Sequence, residues 1–304
     1  MSQDENTWRL SFDLTMSHGL KGGHPDFDGL TADSRLIRVA EHQHQVELDV
    51  YRLEWALSRS FGEHWDAALR VPYFIKDQVA DIAFPADGDA HDRDAAQRNN
   101  DIHHRSETYR GFSDLELTAG WRTKGVFGIK DAALRVGFGF TIPTGSTEPD
   151  PWKAGDEGRE HLHILFGNGT VDPLLDVYLG IPLSEHWAFS TFAKARLPFY
   201  ENKHGYRGAP ELIAVPRITW LPHKAWALSA GVALSYQGYS EWPSGRDRNS
   251  GQFTVNAALS AGVKLTDKMT ASLSALLPVY DRAFQGEDQM EAAPAFSLSM
   301  AVSF

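Results

Sequence analysis

The sequence contains no cysteine, which removes disulfides, thiol catalysis and zinc–thiolate sites together. It has no run of about 18 uncharged apolar residues, so no transmembrane helix is available. Basic residues are outnumbered, 29 Lys and Arg against 40 Asp and Glu for a net charge of -11. A nucleic-acid partner is excluded on that ground, because phosphate binding needs a concentrated basic surface. The start, Met1-Ser2-Gln3-Asp4-Glu5-Asn6-Thr7, lacks the charged and apolar regions of a secretion signal. No serine lies in a Gly-x-Ser-x-Gly elbow and no Ser–His pairing can be nominated from strand register, so no catalytic site and no cofactor are assigned. None of these absences excludes the membrane: a barrel strand needs only about 9 to 11 residues with every second one apolar.

What is present is alternation. In the last twelve residues Phe296, Leu298, Met300, Val302 and Phe304 fall on one face of an extended chain, and Ala295, Ser297, Ser299, Ala301 and Ser303 on the other. Such an ending resembles the final strand of bacterial outer-membrane β-barrels, whose assembly machinery recognises a terminal Phe. The resemblance implies that Phe304 serves that recognition and that the numbering describes a mature chain. Eleven further alternating segments precede it: about 8–17, 44–59, 66–76, 111–123, 134–142, 170–183, 187–197, 211–221, 226–237, 253–265 and 269–280. In the second, the apolar phase slips near Val50-Tyr51, which predicts either a β-bulge or the exit from the membrane.

The links between segments alternate in length. Short ones fall at 61–64, 124–128, 184–186, 222–224 and 266–268, and long ones at about 19–43, 81–107, 143–160, 200–209, 241–250 and 284–292. Short periplasmic turns and long extracellular loops predict this. The expected fold is all-β: one transmembrane antiparallel β-barrel domain over 1–304, with about twelve strands, both termini periplasmic, in the bacterial outer membrane among lipid and lipopolysaccharide. Aromatics near strand ends, Trp8, Trp65, Trp121, Trp187, Trp220, Trp226, Tyr200, Tyr236 and Tyr239, fit interfacial girdles or, alternatively, ordinary core positions.

With the apolar band against lipid, the other face lines a lumen. Strands one to eight point Arg9, Asp13, Arg52, Glu54, Asp66, Arg70, Glu116, Arg122, Arg135, Asp176, Lys194, Arg196 and Arg217 inward, whereas the last four offer mostly Ala, Ser, Gly, Thr and Asn. One wall is charged and the other small and neutral. Such a lumen is either a wet, narrow pore for a small-molecule solute or a barrel plugged by paired charges.

Three short motifs occur in order near the middle of the chain: Tyr109-Arg110-Gly111-Phe112-Ser113-Asp114-Leu115-Glu116-Leu117, Thr141-Ile142-Pro143-Thr144-Gly145-Ser146 and Phe166-Gly167-Asn168-Gly169-Thr170-Val171-Asp172-Pro173. They resemble the strand-entry and strand-exit motifs of the outer-membrane family called "MetA-pathway of phenol degradation". Ser113 stands where that family usually has a glycine. The resemblance covers roughly a quarter of the chain and implies a channel linked to uptake of aromatic or other small molecules. It brings no catalytic residues. Pro143 cannot continue a ladder and Gly145 permits a turn, so these residues are architectural.

Histidines supply the other candidate. His42 and His44 share a strand face, His103 and His104 are adjacent, and His161 and His163 share a face, with His18 and His24 nearby at the outer rim. His103, His104, His161 and His163 are candidate transition-metal ligands; alternatively, all are polar loop residues that never converge. Acidic loop positions, including Asp81, Asp87, Asp89, Asp92, Asp94, Glu148, Asp150, Asp156, Glu157 and Glu160, are candidates for divalent-cation contacts at the lipopolysaccharide surface. The functional expectation is a passive channel. The competing readings are a non-conducting barrel whose loops bind metal or a partner, and a rim hydrolase.

Overall fold

A computed structural model describes residues 6–86, 88–284 and 290–304. The amino-terminal start up to Glu5, Asp87 and the centre of the 284–292 link lie outside the described residues. The chain closes into a barrel of twelve staves: β1 (Trp8–Leu30), β2 (Leu36–Phe61), β3 (Trp65–Ala83), β4 in two pieces (Glu107–Phe112 and Leu115–Lys124), β5 (Ala133–Ile142), β6 (Pro173–Pro182), β7 (Trp187–Arg196), β8 (Glu211–His223), β9 (Trp226–Gln237), β10 (Gln252–Lys264), β11 (Met269–Ala283) and β12 (Ala295–Ser303). Each pairs antiparallel with its sequence neighbour, and β12 pairs back to β1 in a register that sets Leu298 beside Leu14. The expected all-β barrel and its strand count are borne out. The two pieces of β4 both pair with β3. The break at Ser113-Asp114 faces Pro72, whose missing N–H interrupts the ladder while its carbonyl still accepts from Ser113 N at 2.9 Å.

Around the wall, alternate residues turn outward into a continuous apolar band, with Leu273 63% and Val279 68% exposed. Apolar area of that extent is tolerated only against lipid. Its edge at the short-turn end is a belt of exposed Trp8, Trp65, Trp121, Trp187, Trp220 and Trp226, the interfacial placement that amphipathic indoles favour.

Residues 19–43 are not a loop, as expected from the sequence, but the upper half of a long β1–β2 hairpin that turns at 31–35. The phase slip at Val50-Tyr51 involves no bulge in β2, which pairs with β3 without interruption from Gln43 to Phe61. Instead the environment inverts. Below this point Tyr51, Leu53, Trp55 and Leu57 face lipid; above it Glu41, Gln43, Gln45 and Glu47 on the same face meet water, and Val46, Leu48 and Val50 turn inward. The bulge is on β1, at His18-Gly19, where Gly19 takes φ +72°. Asp49 holds it by accepting from Gly19 N at 2.8 Å and pairing with His18 Nδ1 at 2.9 Å.

The link after β3 contains a second unexpected element, helix α1 (Ala90–His103), N-capped by Asp89, which accepts from His91 N at 2.8 Å. Ala95 and Ala96 bury against Val39, Ile37, Ile82 and Phe84, so α1 lies on the inner face of the β1–β3 projection above the mouth. A shorter helix, α2 (Pro151–Asp156), is capped by Asp150. Asp89 and Asp150, read from the sequence among the acidic loop positions, are thus helix caps.

Replacing lipid-facing Leu298 by Arg should destabilise the barrel in lipid vesicles by about 2–4 kcal/mol, read from denaturant unfolding. Ser299→Arg, one residue along and beside Asp13, should cost much less; equal costs would contradict the assignment of faces.

Candidate functional site

The two walls of the lumen differ in kind. On the neutral side one horizontal row of hydroxyls crosses six adjacent strands, Thr219, Ser229, Ser260, Ser274, Ser297 and Thr15, each opposite the next in the ladder. Thr15 and Ser297 hydrogen-bond at 2.9 Å, as do Thr219 and Ser229. This wall presents donors and acceptors without charge.

Ion pairs cover the opposite wall. Glu54, nearly buried, takes Arg52 and Arg70, the latter at 2.8 Å. Arg70 also approaches Glu116 at 4.0 Å, and Lys194 reaches Glu116 at 2.5 Å. Lower down, Arg135 bridges Asp66 and Asp176, with 2.7 Å to Asp66. The room for it is encoded in the wall: Asp66, Gly120, Gly137 and Asp176 form one row across β3 to β6. A Cβ on Gly120 would stand 2.4 Å from the Arg135 guanidinium, and one on Gly137 would stand 2.4 Å from the Asp176 carboxylate. Two glycines open the floor on which the arginine lies.

The remaining predicted lumen residues separate into different jobs. Arg122 donates to the carbonyls of Glu63 at 3.0 Å and Gly62 at 2.9 Å, securing the β2–β3 turn. Asp13 accepts from Ser299. Arg217 donates to Ser190 Oγ at 3.1 Å, and Arg9 sits opposite Ser303. Among the described residues no carboxylate makes an ion pair with Arg9 or Arg217. At the short-turn end the lumen holds a chamber of about 870 Å3 whose lining includes Arg9, Ser58, Asp66, Arg122, Arg135 and Tyr178.

Arg196 does not face open lumen. It pairs with Asp114 at 2.8 Å and Asp172 at 2.7 Å, both carboxylates fully shielded. Asp114 also accepts from Gly145 N at 3.1 Å and Asn168 N at 3.0 Å, while Asp172 accepts from Thr170 Oγ1 at 2.5 Å and Asn168 Nδ2 at 2.9 Å. All three sequence motifs therefore meet in one knot. A Cβ on Gly145 would come within 2.6 Å of Gly167 N, and one on Gly167 within 2.1 Å of Asp114 Oδ1. Asp114 and Asp172, both within the motifs, are not among the lumen charges expected from the sequence.

Above the lumen, the structure brings the four predicted histidines together. The rings of His103 and His104 stack at 3.9 Å, and His103 lies 4.8 Å from His161 and 4.9 Å from His163. Three more histidines from the hairpin join them. His24 Nε2 is 3.3 Å from His104 Nε2, and His42 Nε2 is 3.1 Å from His44 Nε2. His44 Nε2 is also 3.3 Å from Asp26. The alternation of His42 with His44 was the signal for that second set. His18 stays apart at the bulge. Burial, reinforced by neighbouring imidazoles, pushes His44 and His104 down to about 3 and holds His103 and His163 well below the ordinary histidine value. These rings are thus neutral at pH 7. Because their folded values are depressed, the stability they contribute is present above about 6.5 and lost as pH falls toward 3.

Arg196→Ala should leave two buried carboxylates uncompensated and cost about 3–5 kcal/mol, measured as a lowered unfolding midpoint. Arg217→Ala, which removes one hydrogen bond to a serine, should cost no more than about 1.5 kcal/mol.

No protein-family model and no curated protein matches the chain. Among solved structures, the COG4313 outer membrane channel from Pseudomonas putida F1 superposes with a TM-score of 0.60 at 13% identity, over 100% of this chain and 97% of that one. A TodX monoaromatic hydrocarbon channel mutant gives a TM-score of 0.45 at 11% identity, over 99% of this chain and 90% of that one. The translocator domain of the autotransporter NalP from Neisseria meningitidis gives 0.45 at 10%, over 100% and 90%. The first of these likenesses shows the fold: this chain shares that protein's β-barrel architecture.

Proposed function

We propose that the chain is an outer-membrane channel through which small solutes pass passively, with anionic ones favoured. The observation that carries this reading is the asymmetry of the lumen. One wall is a row of hydroxyls that can replace the hydration of a passing solute. On the other most charges are matched to one another, and among the described residues Arg9 and Arg217 have no carboxylate partner while Asp13, held by Ser299, makes no ion pair. A weak excess of fixed positive charge along an otherwise neutral path attracts anions without trapping them. The three motifs resemble those of the family linked to uptake of aromatic or other small molecules, and with the unpaired arginines this favours an aromatic anion as the solute. Lipid meets the apolar band, lipopolysaccharide the acidic loop surface, and the strand ending in Phe304 presents itself to the barrel assembly machinery. Loops and α1 over the mouth set the rate of entry.

In planar bilayers the refolded protein should give discrete conductance events, with a reversal potential favouring chloride over potassium. Arg9→Glu with Arg217→Glu should abolish or invert that preference while the events persist. Complete absence of events across a range of pH and salt would sink the channel reading and leave the closed, loop-binding barrel.

A further inference from the structure

We propose that the histidine cluster over the barrel mouth is a binding site for a first-row divalent transition metal of the zinc, copper and nickel class, with His24, His44, His103 and His104 as its donors. These four residues come from three separate segments, β1, β2 and the C-terminal end of α1. Each can present a ligand atom such that all lie within 4.8 Å of one another. Around a tetrahedral ion with nitrogens at 2.0–2.1 Å, donor atoms stand about 3.3 Å apart, and the His24–His104 nitrogen pair is already at 3.3 Å.

Three observations favour a metal over a plain cluster of packed rings. First, a backbone carbonyl fixes the tautomer of one donor: Pro25 O accepts from Nδ1 of His24 at 3.2 Å, so this ring presents its Nε2 lone pair, the orienting arrangement typical of metal-bound imidazoles. In the flanking groups Ala40 O and Arg159 O hold Nδ1 of His42 and His161 in the same way, at 3.0 Å and 2.8 Å. Second, His44 Nδ1 is buried without a hydrogen-bond partner, an unusual state for such an atom. Third, burial holds His44, His103 and His104 well below the ordinary histidine value, in the neutral form in which imidazole ligates. The donor set is nitrogen without thiolate, which suits zinc, copper or nickel and not calcium or magnesium, which take oxygen ligands. His103 with His161 and His163, and Asp26 with His42 and His44, form flanking groups that share His103 or His44 with the central one. A bound ion would join the projecting hairpin to α1. Because His161 N donates to Ile102 O at 3.1 Å, residues 157–170 would be held with them. The metal therefore clasps the mouth cover in place.

The test is calorimetry of the refolded protein without a polyhistidine tag, titrated with zinc ion and, as controls, calcium and magnesium. Zinc should bind at least tenfold more tightly than to a His24→Asn, His104→Asn variant, with no competition from the two controls. A His186→Asn, His223→Asn variant, altered at the short-turn end, should bind as the parent does. Heat-modified gel mobility establishes that each variant is folded. Equal zinc affinity in the parent and the His24, His104 variant would overturn the site. Hydrogen exchange in α1 should slow on adding zinc to the parent and not to that variant; unchanged exchange despite tight binding would overturn the clasp. Neither readout depends on conductance, so the site and the channel stand or fall separately.

Discussion

Closure of the hydrogen-bonded wall is the constraint on which the rest depends. In hydrocarbon no solvent is available to a backbone N–H or C=O, so a strand structure is tenable only if its first and last strands pair. Here they do, from Arg9 beside Ser303 to Ser17 beside Ala295. Trp8 and Phe304 exchange backbone hydrogen bonds at 2.9 Å in both directions at the very end of the seam. Once the ladder is closed, every inward position is committed to the lumen and every outward one to lipid, because the side-chain period is two and a slip of one residue would exchange the faces.

That commitment ends where the membrane ends. Above Tyr51 the hairpin of β1 and β2 keeps its pairing, yet the apolar side becomes the inner one and the polar side the outer, as in a soluble sheet. The inversion is what makes a mouth cover possible. Val46, Leu48 and Val50 line the inner face at the base of the projection, and Ile37, Val39 and Ile82 bury against α1. A second shift between Asp26 and Asp28 turns Ile37 and Val39 inward. Two irregularities on β1 and its partner thus change which residues face in, without changing strand order.

The barrel was legible because its signal is repetitive. Twelve alternating segments and links of alternating length each carry little information, but they agree. The hairpin extension was misread for a physical reason: residues 19–43 contain Gly, Pro and Asp at turn-forming positions, and the two register shifts destroy the simple alternation that identifies a strand. Helix α1 was hidden because its apolar contribution is two alanines, Ala95 and Ala96, in a polar stretch whose helical periodicity is faint. In the candidate site, the four paired or adjacent histidines were visible as residues, and their convergence was not. It depends on α1 delivering His103 and His104 to the strand carrying His44, a tertiary relation with no local signature.

The lumen and the cover are built on opposite electrostatic principles, and this separates their roles. Inside the wall, charge is retained and neutralised in place: Arg135 between two aspartates over two glycines, and Arg196 between two others in the motif knot. Each arrangement pins neighbouring staves and leaves little net field, so a charged wall can coexist with a path. In the cover, burial instead depresses protonation of His44, His103, His104, His161 and His163. The wall is therefore held largely by charges matched across staves, whereas the cover is held by buried apolar residues and packed, neutral rings.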